Sequence, residues 1–174
     1  MESHTGSHRK NTPQQSHHER HDGGMQMTEH HYRNLVLMAL FSFVSMYILM
    51  YAMVDSWLSV YANLNQGYMA GLMTAPMVLF ELMLMRAMYK DRRRNVAIVV
   101  GTLLIGVFFF LAIRQQVLIG DRQFLRSMIP HHSGAILMCE EANVRDVQVL
   151  DLCRRIRESQ RSEIDEMKQL LAGR

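Results

Sequence analysis

Between residues 128 and 138 the chain reads Met-Ile-Pro-His-His-Ser-Gly-Ala-Ile-Leu-Met, two adjacent imidazoles between two thioethers. At 3.6 residues per helical turn, Met128 stands three and four positions before His131 and His132, while His131 and Met138 share a face two turns apart. Pro130 has no amide hydrogen to donate and is expected in a first helical turn or at a kink. Thioether and imidazole donors together suit Cu(I) better than Mg or Ca, which seek oxygen. The same residues also fit a plain amphipathic helix, with Met filling a core and the histidines on its polar edge. Spacing alone says only that a soft metal ion could be held.

Two helices must position this stretch. The first is expected to begin at the Gly120-Asp121 break, with Asp121 as its cap, and to run to about residue 142. Phe124, Met128, His131, Ala135, Met138 and Ala142 mark its expected inward face. Residues 143–146 read as a tight connection, and Asp146 as the cap of a second helix reaching about residue 171. Its inward face would carry Val149, Cys153, Ile156, Gln160, Ile164, Met167 and Leu171. Asp151/Arg155, Arg154/Glu158 and Arg161/Asp165 form a solvated charged face. Cys139 and Cys153 lie about equally far from the turn. An intrachain disulfide closing the hairpin is the expectation, with two thiols supplementing a metal site or two small core residues as the alternatives.

Asp121, Phe124, Met128, His131-His132, Ala135-Ile136 and Met138, followed by Leu150, Ile156, Gln160, Glu163-Ile164, Met167 and Leu170-Leu171, together resemble the bacterial family known as domain of unknown function 305. The resemblance covers about the last third of the chain, residues 121–171. It implies a ferritin-like helical bundle and, because some members are linked to copper binding and tolerance in the periplasm, a copper ion as the cofactor. Met128, His131, His132, Met138 and Met167 would be the ligands, with Gln160 and Glu163 as auxiliary groups near the bundle axis. A polar network that merely fixes helix register is the alternative. Residues 114–174 supply two helices of a four-helix bundle, so a second copy or docking on the rest of the chain would complete it.

The preceding third is apolar. Three stretches, about residues 34–54, 67–88 and 96–113, are long enough to cross a hydrocarbon core of ~30 Å as helices. Trp57, Tyr61 and Tyr68 at one end, and Tyr32 and Tyr89 at the other, fit interfacial aromatic belts. Arg86, Lys90, Arg92, Arg93 and Arg94 follow the second span while the loop after the first holds no Lys or Arg, so the Arg-rich loop is expected to be cytoplasmic. The N-terminus is then cytoplasmic as well, and the C-terminal domain faces out, in a bacterial inner membrane. Arg114, Arg122 and Arg126 pull the other way. Along the second span Met69, Met73, Met77, Glu81 and Met85 recur every four residues, and Met46, Met50 and Met53 make a similar stripe on the first. A carboxylate at membrane depth costs a few kcal/mol unless it faces the bundle, which singles out Glu81. The Met-x3-Met repeat within three spans is similar to eukaryotic-type copper transporters, although Gly101-x4-Gly106 departs from the Gly-x3-Gly of their third span.

Residues 1–33 carry seven of the nine histidines and almost nothing apolar, a composition expected to stay disordered as a loose chelating or simply solvated tail. No signal-peptide pattern is present in it. A mean hydropathy of −0.05 hides these extremes, and 16 methionines in 174 residues exceed ordinary usage. The net charge of +3 is spread among segments and gives no reason to expect nucleic acid. Gly-rich phosphate loops, nucleophile elbows and zinc-protease motifs are missing. A ferritin-like di-iron oxidase would need Glu-x2-His sets, but Glu163 is followed three residues on by Glu166. The sequence thus predicts an all-α, membrane-anchored, homo-oligomeric binder of a metal ion that is not an enzyme. A transporter working through Met73, Met77 and Glu81, or a membrane adaptor, are the alternatives.

Overall fold

The computed structural model describes residues 18–173, with side chains from Glu29 onward. The described residues form five α-helices and two 3-10 turns, with no strand: α1 (His18–Leu49), the turns Met50–Met53 and Trp57–Ser59, α2 (Leu64–Leu84), α3 (Arg92–Gln115), α4 (Asp121–Glu141) and α5 (Val147–Ala172). Glu29–Met53, Leu64–Leu84 and Arg92–Gln115 are long and apolar enough to cross a membrane. The second span ends at Leu84, before the expected residue 88, and the third starts at Arg92, where Asp91 accepts the amides of Arg93 and Arg94 at 2.9 and 3.1 Å.

The expectation of a disordered N-terminal tail to residue 33 is corrected in part, because α1 already begins at His18. A helix nucleated by an apolar span extends at the cost of propagation alone, and the turns before residue 34 are anchored. The Tyr32 hydroxyl donates to Asn95 Oδ1 at 2.8 Å, its ring lies 5.2 Å from that of Tyr89, and Glu29 pairs with Arg94 at 3.3 Å. Residues 1–17, with His4, His8 and His17 of the expected chelating tail, lie outside the described residues.

Span α2 is central and packs against both α1 and α3. Close approach to α3 depends on Gly71, where a Cβ would come within 2.4 Å of the Phe109 ring. Leu35, Leu82 and Tyr89 form a small core at the Arg-rich end of the spans. At the other end α3 stops in a left-handed Gln116, Leu118 is left-handed as well, and the Tyr68 hydroxyl donates to the Val117 carbonyl at 2.9 Å. This short, fixed link delivers the chain into α4.

Helices α4 and α5 form an antiparallel hairpin around Leu125, Ile129, Ile136, Ile164 and Met167. Asp146 caps α5 as the sequence predicts, accepting the amides of Gln148 and Val149 at 2.8 and 3.1 Å. The expected cap of α4 is displaced by one residue: Gly120 is the N-cap and Asp121 sits in the first turn, where its charge favours the helix dipole. Pro130 lies well inside α4, not in its first turn. The inward face expected for α4 is also corrected. Leu125, Ile129, Ser133 and Ile136 are buried, whereas Phe124 and Met138 are 49% and 55% exposed. Both stripes have helical period, and the one rich in β-branched and aliphatic residues took the partner helix. On α5, Val149 is exposed, while Ile164 and Met167 are buried as expected. The hairpin docks on the connection between α1 and α2, so α4 is covered on a second side without a second copy.

Replacing Gly71 by Val should overpack the contact with Phe109 and cost about 1–3 kcal/mol. Thermal unfolding of the detergent-solubilised chain measures this, and adding Phe109→Leu should recover part of the loss. An unchanged melting temperature in the single variant would contradict the close packing of α2 on α3.

Candidate functional site

The stretch that opens the sequence argument is split by the fold into two faces. Met128, Pro130, His131, Ala135 and Met138 turn toward the membrane end and line a cavity of about 410 Å3. Its opposite wall comes from the first turnaround and the start of α2: Met50, Met53, Val54, Asn63, Gln66 and Met69. Five thioethers and one imidazole therefore share one chamber. The wall amides are occupied with one another or with the backbone. Asn63 Oδ1 accepts the Gln66 amide at 2.9 Å, Asn63 Nδ2 donates to the Tyr61 carbonyl at 2.9 Å, and Gln66 Nε2 donates to the Tyr47 carbonyl at 3.1 Å. Asn65 Nδ2 donates to Gln116 Oε1 at 3.0 Å and to Ser127 Oγ at 3.3 Å, which ties the chamber wall to the hairpin.

His132 faces away from this chamber, toward α5. Its Nδ1 stands 2.9 Å from Oε2 of Glu163, an ion-pair distance when the ring is protonated. Burial pushes the His132 ring below its ordinary value, the Glu163 carboxylate pulls it back up, and the neighbouring His131 lowers it. Glu163 is further held by Ser159, whose hydroxyl donates to it at 2.7 Å. Gln160 is half-buried on the same helix, and Met167 belongs to the hairpin core, 8% exposed. The structure thus brings together Met128, His131 and Met138, and sets His132, Glu163 and Met167 apart from them. Among the described residues, no three His, Cys, Asp or Glu side chains converge as metal ligands. The expected disulfide is corrected: Cys139 and Cys153 are both free thiols. They meet across the hairpin, and hydrogen bonding to Cys153 raises the Cys139 thiol above its usual value.

In the membrane stripe, Met69 reaches the chamber, Met73 is 43% exposed on the outer face of α2, and Met77 and Glu81 are half-buried. Met85 lies just past the helix as its C-cap.

Sequence reasoning missed what docks the hairpin on the turnaround between α1 and α2. The backbone amide of Asp55 donates to Ser133 Oγ at 2.8 Å, and the Ser133 hydroxyl donates to the Asp55 carboxylate. Gly134 lets the Met53 carbonyl approach, since a Cβ there would lie 3.2 Å from it. The signal was present in the Ser133-Gly134 pair, two small residues beside two imidazoles, which on a helix marks a place where another backbone comes close.

His132 should titrate below the usual 6.5 or so of histidine. A ring whose folded value is depressed supports the fold fully when neutral, so its contribution is lost as pH falls from about 6.5 through that lower value. Replacing Glu163 by Gln removes the group that raises His132 and should lower its titration further. Proton NMR of the ring signals tests both, and a midpoint above that of free histidine would reverse the assignment.

A family profile described as Domain of unknown function (DUF305) matches residues 114–171. Over 143 residues the chain is 34% identical to the uncharacterized protein L153 of Acanthamoeba polyphaga mimivirus, an alignment covering 80% of this chain and 92% of that protein. No solved structure matches the chain. An alignment of that length extends well beyond the DUF305 match: the chain belongs to the same family as this viral protein, with a DUF305 domain at its C-terminal end.

Proposed function

We propose that the protein is a membrane-anchored binder of a soft metal ion, copper(I) foremost, and acts by holding the ion, not by catalysis. The observation that carries this reading is the convergence of Met128, His131 and Met138 on one cavity at the end of the spans. Thioether and imidazole favour Cu(I) over ions that want oxygen. Binding is favoured over transport along α2 because Met73 and Met77, one and two turns beyond Met69, do not line that cavity. In the full-length chain in detergent, replacing Met128 and Met138 by Leu keeps bulk and removes sulfur. Cu(I) affinity against a competing chelator should fall about tenfold or more. An unchanged affinity reduces both side chains to packing.

The membrane orientation belongs to the same proposal. The 86–94 turn, rich in Arg, would lie in the cytoplasm, and the hairpin, at the other end of the spans, outside; in a bacterial inner membrane that is the periplasm. Fusions of a periplasm-dependent enzyme after Arg94 and after Gly173 should be silent and active, respectively. The opposite pattern inverts the orientation.

A further inference from the structure

We propose that three methionines of the membrane domain, Met50, Met53 and Met69, complete the metal site, so that the ion sits between the hairpin and the spans and fastens one to the other. This rests on the metal-binding reading above, but it moves the site from the hairpin to the junction and fixes the class of ion.

The first argument is what these methionines fail to do. A methionine used as core filler is buried and closes the space around it, as Met167 does at 8% exposure. Around the chamber, Met53, Met69 and Met138 are 56%, 39% and 55% exposed, Met50 and Met128 are half-buried, and the space they all border stays open. They come from three different elements, the Met50–Met53 turn, α2 and α4, yet all border one cavity.

The second argument is charge. No Asp, Glu or Cys lines the chamber. The donors left over, after the wall amides have bonded with one another and with the backbone, are thioether sulfurs and the His131 ring. Such a soft set, with no carboxylate or thiolate, offers little to offset a divalent charge but matches a soft monovalent cation, Cu(I) or Ag(I).

The third argument is position. The same junction is held by the Asp55–Ser133 pair and by Asn65 on Ser127. An ion taking sulfur from both walls binds only the docked arrangement, and therefore stabilises docking by mass action.

The test uses the full-length chain in lipid nanodiscs with Cu(I), and Ag(I) as a redox-inert probe. X-ray absorption at the copper edge counts sulfur neighbours in a chain whose Cys139 and Cys153 are replaced by Ser, which removes the hairpin's thiols. The hairpin then offers only Met128 and Met138 to the chamber, so more than two sulfurs requires the membrane methionines. The variant carrying Met50→Leu, Met53→Leu and Met69→Leu should lose about tenfold or more in affinity and drop in sulfur count. Its thermal unfolding without metal should match the parent, but the upward shift produced by Ag(I) should shrink. Three sulfurs or more, together with weakened binding by the triple variant, supports the proposal. Two or fewer sulfurs with parental affinity in the triple variant overturns it, while loss of affinity in the Met128/Met138 variant leaves the metal-binding reading standing. Failure of the unmodified protein to bind either ion overturns both.

Discussion

The arrangement depends on one polar contact at the end of the three apolar helices. Ser133 is fully buried, yet its hydroxyl both accepts from the Asp55 amide and donates to the Asp55 carboxylate. A buried hydroxyl without partners would cost on the order of 1–3 kcal/mol, so α4 must meet the turnaround at this register or leave the group unsatisfied. The neighbouring Gly134 is the steric counterpart, since it admits the Met53 carbonyl. A two-helix hairpin with a core of Leu125, Ile129, Ile136, Ile164 and Met167 is small by itself, and Tyr61 of the turnaround packs against that core from outside. Docking therefore does for this hairpin what a second helix pair does in a four-helix bundle.

Docking also gives α4 two working faces. One meets α5 through aliphatic residues and His132; the other meets the membrane domain through Met128, His131, Ala135 and Met138. Met128 touches both, packing on the hairpin core while lining the chamber. Adjacent histidines on a helix point about 100° apart, so His131 and His132 could serve one site only at its edge. Here they serve two environments: one ring exposed on the chamber side, the other half-buried beside Glu163.

Much of this was legible in the residues. Span length and hydropathy gave three helices, Gly120 and Asp146 bracketed the hairpin, and the DUF305 resemblance fell on the part of the chain that the family profile matches. The inward face of α4 was not legible, because residues 124, 128, 131, 135 and 138 and residues 125, 129, 132 and 136 are both helical stripes, and periodicity cannot say which partner each one meets. The chamber was hidden for a different reason. It joins Met50 and Met53 to residues nearly half the chain away, through a docking fixed by a serine, a glycine and an aspartate that carry no motif. The helical start of α1 at His18 was hidden by composition, since its anchor lies in Tyr32 and Glu29 meeting Asn95 and Arg94 across the bundle.

The choice of sulfur at this place has a physical logic. The chamber borders the ends of the spans, near Trp57 and Leu58, which are 86% and 79% exposed, as side chains at a bilayer interface can be. Carboxylates or thiolates there would carry charge into a low-dielectric border and change it with pH. Thioethers do neither: they are apolar enough to rest against lipid or a helix and do not titrate. In the proposed site, their flexibility would let one side chain pack when no ion is bound and turn toward a bound one. Of the hairpin's ionisable groups only His131 lines the chamber; His132 with Glu163 and the Cys139–Cys153 contact lie elsewhere. The sulfur-lined chamber and the face that carries His132 and Glu163 thus lie on two faces of one helix, and it is the register set by Ser133 that keeps them apart.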